Sequence, residues 1–188
     1  MTFLYKFMKH CFGKLVVFYY NPKIEGEIKV EGPVIIASNH LHALDPYWPV
    51  ISYDKMIHYM AKKECFDNIW IRWFVKGMKA ISVDRKNKND EAINKSIEIL
   101  NNGGAIGIFP EGTRNRTNEI LKPFKFGAVS LASKTNAYII PVGISGKYKF
   151  RSKNLIVRYG KPFKIEGMDL ESANKKLEEE IKKLILGD

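Results

Sequence analysis

Pro33-Val34-Ile35-Ile36-Ala37-Ser38-Asn39-His40-Leu41-His42-Ala43-Leu44-Asp45-Pro46 is the stretch from which fold and chemistry both follow. Residues 33–37 are an unbroken apolar run, short enough to be a buried strand. Asp45-Pro46 reads as a helix start, because Asp is a good N-cap and Pro suits the first turn, where no N–H partner is needed. His40 and Asp45 therefore share one tight strand-to-helix connection, with four residues between them. That geometry lets the carboxylate fold back onto one imidazole nitrogen and leaves the other as an outward-facing acceptor. A histidine held in one tautomer by an acid is suited to general-base work. The spacing alone equally describes a loop histidine beside a helix cap. What favours the base is a second stretch, Phe109-Pro110-Glu111-Gly112-Thr113-Arg114.

This second stretch follows another apolar run, Ala105-Ile106-Gly107-Ile108-Phe109. Gly112 permits a sharp turn and a close backbone approach to a ligand. Thr113 can donate a hydroxyl, and Arg114 offers a planar fork suited to a phosphate. Glu111 is placed to orient that arginine or to bind a hydroxyl. Arg85 follows a further strand, Ala80-Ile81-Ser82-Val83, which runs into Asp84-Arg85, and is a second candidate for phosphate recognition. Lys62, Arg116, Lys122 and Lys125 add positive potential, although each also reads as a solvated surface charge.

Outward from these two loops, strands alternate with helical patterns. Tyr47–Ser52 reads as a short helix, 56–61 as a strand, and 90–101 as a helix stopped at Asn102-Gly103-Gly104. Pro123 is expected to open a helix, Tyr138–Gly143 and Leu155–Tyr159 are strands, and Asp169 caps a charged terminal helix. Ile28-Lys29-Val30 suggests an edge strand. Buried strands that read as continuous apolar runs, alternating with helices, predict an α/β domain with a mixed, largely parallel sheet covered by helices. In such sheets sites form beyond the carboxyl ends of strands, which is where His40, Arg85 and Glu111–Arg114 all fall.

The 188 residues suit one domain with a substantial core. Net charge is +11, which suits an anionic partner such as nucleic acid, an anionic membrane face or a phosphorylated small molecule. Cys11 and Cys65 have no metal-ligand spacing, so no metal is expected, and the thiols suit a reducing compartment. Residues 2–20 carry Phe3, Leu4, Phe7, Met8, Cys11, Phe12, Leu15 and Val16 at helical spacing, with Lys6, Lys9, His10 and Lys14 opposite. Phe66, Ile69, Trp70, Trp73 and Phe74 repeat the pattern. Aromatic stripes flanked by lysines mark interfacial helices, and the same stripes equally fit packing on a core. The expected organisation is a membrane-associating helix over residues 1–22 and a domain over 23–188. No apolar run approaches the roughly 18 residues of a spanning helix, so any membrane contact is peripheral or monotopic. Dinucleotide and P-loop glycine patterns are absent, and so is a serine nucleophile elbow, which leaves a base activating a bound hydroxyl for direct attack.

Four ordered blocks resemble those of the glycerolipid acyltransferases, the lysophosphatidic acid (1-acyl-glycerol-3-phosphate) acyltransferase family. Asn39-His40 with Asp45 is similar to the family's H-x-x-x-x-D block, and Ile81-Ser82-Val83-Asp84-Arg85 to its second. Phe109 to Arg114 matches the third as it stands, and Ile140-Pro141-Val142 resembles the fourth. Pro123-Phe124-Lys125-Phe126-Gly127-Ala128 is similar to the helix start after the third block. One departure is His42-Ala43, where the family often carries Ser-Trp or Ser-Tyr, a position that bears on acceptor preference. The resemblance implies transfer of a fatty acyl group from acyl-CoA or acyl carrier protein to the sn-2 hydroxyl of 1-acyl-glycerol-3-phosphate, giving phosphatidic acid. It implies His40 as base and Asp45 as its orienting acid. Asn39, Glu111, Gly112, Thr113 and Arg114 then belong to the substrate site, and Arg85 and Lys62 to acyl-donor or oxyanion charge. No cofactor is implied beyond the acyl donor, and no nucleic acid. The expected place is the cytoplasmic face of the cell membrane, on an anionic lipid surface. The alternatives are the same transfer to another lysolipid or amino-lipid, and a non-catalytic basic membrane-binding module.

Overall fold

Val34–Ser38, with five consecutive buried residues, is the central strand of a seven-stranded sheet. The computed structural model describes residues 2–67, 69–84 and 90–188, apart from the Trp70 side chain. The strands are β1 (Lys23–Glu25), β2 (Val34–Ser38), β3 (Ile57–Lys62), β4 (Ile81–Val83), β5 (Ala105–Ile108), β6 (Tyr138–Ser145) and β7 (Ile156–Tyr159), in the order β1-β7-β6-β2-β5-β3-β4. Neighbours run parallel except β6 and β7. This is the mixed, largely parallel α/β sheet expected of the sequence.

The helices are α1 (Phe3–Phe7), α2 (Gly13–Tyr20), α3 (Tyr47–Ser52), α4 (Ile69–Gly77), α5 (Asp90–Asn101), α6 (Gly127–Thr135) and α7 (Leu170–Leu186). Side chains alternate across a strand, so β2 feeds two cores. Val34 and Ile36 pack with Tyr5, Met8, Val16, Trp48 and Met78. Ile35 and Ala37 pack with Leu100, Leu131, Leu177 and Ile181 of α5, α6 and α7. Covered on both faces, β2, β5 and β6 are continuous apolar runs, as parallel sheets require. Because β2, β5 and β3 are parallel neighbours, the connections that follow them emerge along one edge.

Three local expectations are corrected. Ile28-Lys29-Val30 is not a strand; Lys23–Glu25 pairs with Ile156–Arg158 instead, and Gly26, at φ +79°, turns the chain away beside the Tyr159 carbonyl. Pro123 does not open α6, which begins at Gly127, because the Lys122 and Lys125 N–H groups are drawn to Glu111 and the Pro110 carbonyl. Asp45 does not cap α3: Pro46 stands at that position, and the carboxylate turns back over the preceding loop.

The helical pattern of residues 2–20 is present as α1, a π-helical turn over Met8–Phe12, and α2, closed by Asn21 in the left-handed region at φ 47°. Its apolar residues divide between two sides. Tyr5, Met8 and Val16 enter the core, and the Tyr5 hydroxyl accepts the Ile57 N–H at 3.0 Å. Lys9 is also buried and donates to the Tyr53 carbonyl; burial holds its amine below the ordinary value. Phe3 and Leu15, in contrast, are 86% and 65% exposed, with Phe7 and Phe18 beside them. In α4 the same division places Val75 inside and leaves Ile69 and Trp73 exposed.

On the far side, α7 lies so close to β6 that a Cβ at Gly143 would stand 2.5 Å from Leu184 Cβ. Gly143→Ala is expected to lower stability by about 1–3 kcal/mol, since neither backbone has room to yield. An unchanged urea midpoint would show that α7 rides off the sheet without cost.

Candidate active site

The connection between β2 and α3 is closed by one carboxylate oxygen. Asp45 Oδ2 accepts the N–H of Leu41 at 2.6 Å and of His42 at 2.7 Å, and lies 2.8 Å from His40 Nδ1. Asp45 is fully buried, while the His40 side chain is 18% exposed. With an acceptor on Nδ1, the ring proton belongs there, and Nε2 is left as the nitrogen available to the cavity that His40 lines. A column of rings fixes the imidazole plane. His40 stacks on Phe109 with centroids 4.0 Å apart, and Phe109 on Tyr59 at 5.5 Å. Gly107 makes room for the column, because a Cβ there would stand 2.3 Å from the Tyr59 ring.

The second loop is bonded directly to the first. Glu111, 3% exposed, accepts the His40 N–H at 2.8 Å on one oxygen and the Lys122 N–H at 3.0 Å on the other. Burial pushes its carboxyl above the usual range, and the two N–H groups oppose that rise. Asn115 N–H donates to the His40 carbonyl at 2.6 Å. The Asn115 side chain then folds the following turn, taking the Thr117 N–H and hydroxyl and donating to the Glu119 carbonyl. Gly112 sits at φ +72°, and the Lys125 side chain packs 3.0 Å from where its Cβ would stand.

A cavity of about 1000 Å³ opens beside these loops. His40, Lys62, Gly112, Thr113, Arg114 and Lys125 line it together with apolar side chains, including Leu44, Ile71, Phe74, Val75, Met78 and Ile93. Such a volume is at the upper end for a small-molecule site and suits a long apolar group ending at a few polar ones. Lys62 is ion-paired with Glu64 at 2.8 Å. Arg85 lies outside the described residues. Two expectations change. Asn39, expected to touch substrate, is 1% exposed, and its amide makes paired 2.8 Å bonds with the N–H and carbonyl of Ile144. Glu111 neither orients Arg114 nor reaches the cavity, since both of its oxygens hold backbone. His42 stacks on Tyr148, and His58 bonds the Lys79 carbonyl.

Comparison with known proteins bears on the same residues. A family model described as Acyltransferase matches residues 21–145, about two thirds of the chain. The chain belongs to the acyltransferase family. It is 42% identical over 110 residues to the 1-acyl-sn-glycerol-3-phosphate acyltransferase of Bacillus subtilis, covering 56% of this chain and 54% of that one. The Saccharomyces cerevisiae protein of the same name is 31% identical over 159 residues, covering 78% and 52%. The chain thus spans about half the length of these curated relatives. In fold it is similar to the crystal structure of the 1-acyl-sn-glycerophosphate (LPA) acyltransferase PlsC from Thermotoga maritima, with a TM-score of 0.75, 24% identity, and coverage of 96% of this chain and 76% of that one.

Within this acyltransferase domain, several residues have no local sequence signal. Gly107, Tyr59 and the Asn39–Ile144 pairing depend on strand register, which no short motif encodes. Asn115 did carry a signal, the Asn-x-Thr of an Asx turn. Asn39→Ala would leave the Ile144 N–H and carbonyl buried without partners, and is expected to cost about 2–4 kcal/mol in chemical denaturation. Lost activity at undiminished stability would instead return Asn39 to the substrate-binding set.

Proposed function

We propose that the chain transfers a fatty acyl group from acyl-CoA or acyl carrier protein to the sn-2 hydroxyl of 1-acyl-glycerol-3-phosphate, giving phosphatidic acid. The observation that carries this reading is the joining of the His40–Asp45 pair to the Gly112–Arg114 loop on one cavity wall. His40 Nε2 takes the proton of the acceptor hydroxyl while its oxygen attacks the thioester carbonyl. Asp45 keeps Nδ1–H in place and stabilises the imidazolium that forms. The C–S bond then breaks, and the imidazolium returns its proton to the departing thiolate. Arg114, with Lys125 beside Gly112, holds the acceptor phosphate, and Thr113 adds a hydroxyl donor. The apolar wall of α4 accommodates the hydrocarbon chain.

The exposed Phe3, Phe7, Leu15 and Phe18 of the N-terminal helix, with Ile69 and Trp73 of α4, support peripheral association with a lipid surface. The net charge of +11 favours an anionic one, which we read as the cytoplasmic face of the membrane. The two helices meet where Gly77 approaches Leu4 and Met8. Phe12 and Ile71 line the cavity from the same helices, so a lipid need not leave the interface to enter. Among the described residues no helix is long and apolar enough to cross a membrane.

His40→Ala is expected to reduce kcat by about 10²–10⁴, measured as thiol release from acyl-CoA with lysophosphatidic acid, without loss of fold. Turnover at the parental rate would remove the base assignment. Arg114→Ala is expected to raise the acceptor KM about tenfold to a hundredfold, the scale of a hydrogen-bonded charge, while the acyl-CoA KM stays put. Equal changes in both would mean that Arg114 does not distinguish the phosphate.

A further inference from the structure

Asp45 has two carboxylate oxygens, and its own loop accounts for only one of them. Oδ1 accepts the hydroxyl of Tyr148, 103 residues further along the chain. That hydroxyl is itself held, because Trp48 Nε1 donates to it at 2.6 Å. With the indole N–H on its lone pair, the phenolic proton is directed at Asp45. Burial and the nearby Asp45 charge push the Tyr148 hydroxyl far above its ordinary value, so it remains a donor.

The ring is placed as firmly as the hydroxyl. It stacks on His42 at 4.2 Å and meets Tyr20 edge-on at 5.3 Å. Its loop leaves β6 through Gly146, at φ +93°, where a Cβ would collide with the Asn154 carbonyl. Three residues beyond Tyr148, the Arg151 N–H bonds the Tyr19 carbonyl at 2.6 Å, tying the loop to the end of α2. Tyr148 is not among the residues lining the cavity, so it acts through Asp45 rather than on substrate.

We propose that Tyr148 is a positioning residue for the acid of the His40–Asp45 pair: by fixing Oδ1 and sharing its charge, it sets how strongly Asp45 holds the Nδ1–H of His40. The inference rests on the acyl-transfer reading above. Tyr148→Phe removes only the hydroxyl. In the full chain the unanchored Oδ1 lets the carboxylate, and with it the imidazole, turn from the reactive angle; kcat is expected to fall about tenfold while both KM values stay within about twofold, the scale of one charge-assisted hydrogen bond. The proton resonance of His40 Nδ1–H is expected to move downfield, because Asp45 with one donor fewer is the stronger acceptor. An unmoved resonance overturns the inference, whether kcat is kept or lost. Should the Phe variant not fold, 3,5-difluorotyrosine at position 148 preserves shape and hydroxyl while strengthening the donor. The resonance must then move upfield, while kcat stays near the parental value because Oδ1 is still held; no movement overturns the inference equally. His40→Ala separates the two levels. Turnover surviving that change removes the general-base reading itself, whereas turnover lost there and intact in Tyr148→Phe removes the role of Tyr148 alone.

Discussion

Glu111 is almost wholly buried, and each of its oxygens takes a backbone N–H from a different segment, His40 on one side and Lys122 on the other. A buried carboxylate without such donors would be costly, so the three segments are held in register by the need to keep it bonded. The imidazole and the Gly112–Arg114 turn come to one cavity wall for this reason. Asn115 closes the arrangement from the other direction by returning an N–H to the His40 carbonyl. The third block of the family motif therefore does two things. Its third position, Glu111, is a structural clasp, and its last three face the cavity.

The sheet makes this possible at small cost in chain length. Parallel neighbours β2 and β5 end side by side, so the loops after them need no special path to meet. On the opposite side of β2, β6 ends beside Asn39, whose amide extends the pairing by one backbone-like rung onto Ile144. The His40 loop is thus bonded to both neighbouring strand ends before any substrate is considered. Rigidity of this kind is what the proposed general-base chemistry needs, because a misplaced base loses rate steeply.

How far the sequence disclosed this arrangement depends on the distance between partners. His40 and Asp45 are five positions apart, and their contact was legible from a motif. Gly112 was legible too, as its positive φ is a local demand. The continuous apolar runs of β2, β5 and β6 announced a sheet covered on both faces. Lys23–Glu25 was not recognisable as a strand because its burial is slight and its pairing with β7 is decided 133 residues away. The place of Asn39 was hidden for the same reason. The family block put it with the substrate residues, while its partner in the structure, Ile144, is remote in sequence. The N-terminal stripe was legible as a helix, but its apolar residues serve two surroundings, and a periodicity count does not separate them.

That last feature has a geometric basis in the widened turn over Met8–Phe12. A π-turn takes in one residue more than an α-turn, and one residue of α-helix is about 100° of rotation. The widened turn therefore takes up one residue without turning the chain further, so residues 3–7 and 13–20 keep the phase of a helix one residue shorter. Tyr5, Met8 and Val16 enter the same core from either end of it. Remove one residue inside it and the turn closes to an α-turn, with Tyr5 still against Ile57. One residue of slack is stored in this helix: a deletion within residues 8–12 is absorbed there, whereas one on either side of it swings everything beyond by about 100°.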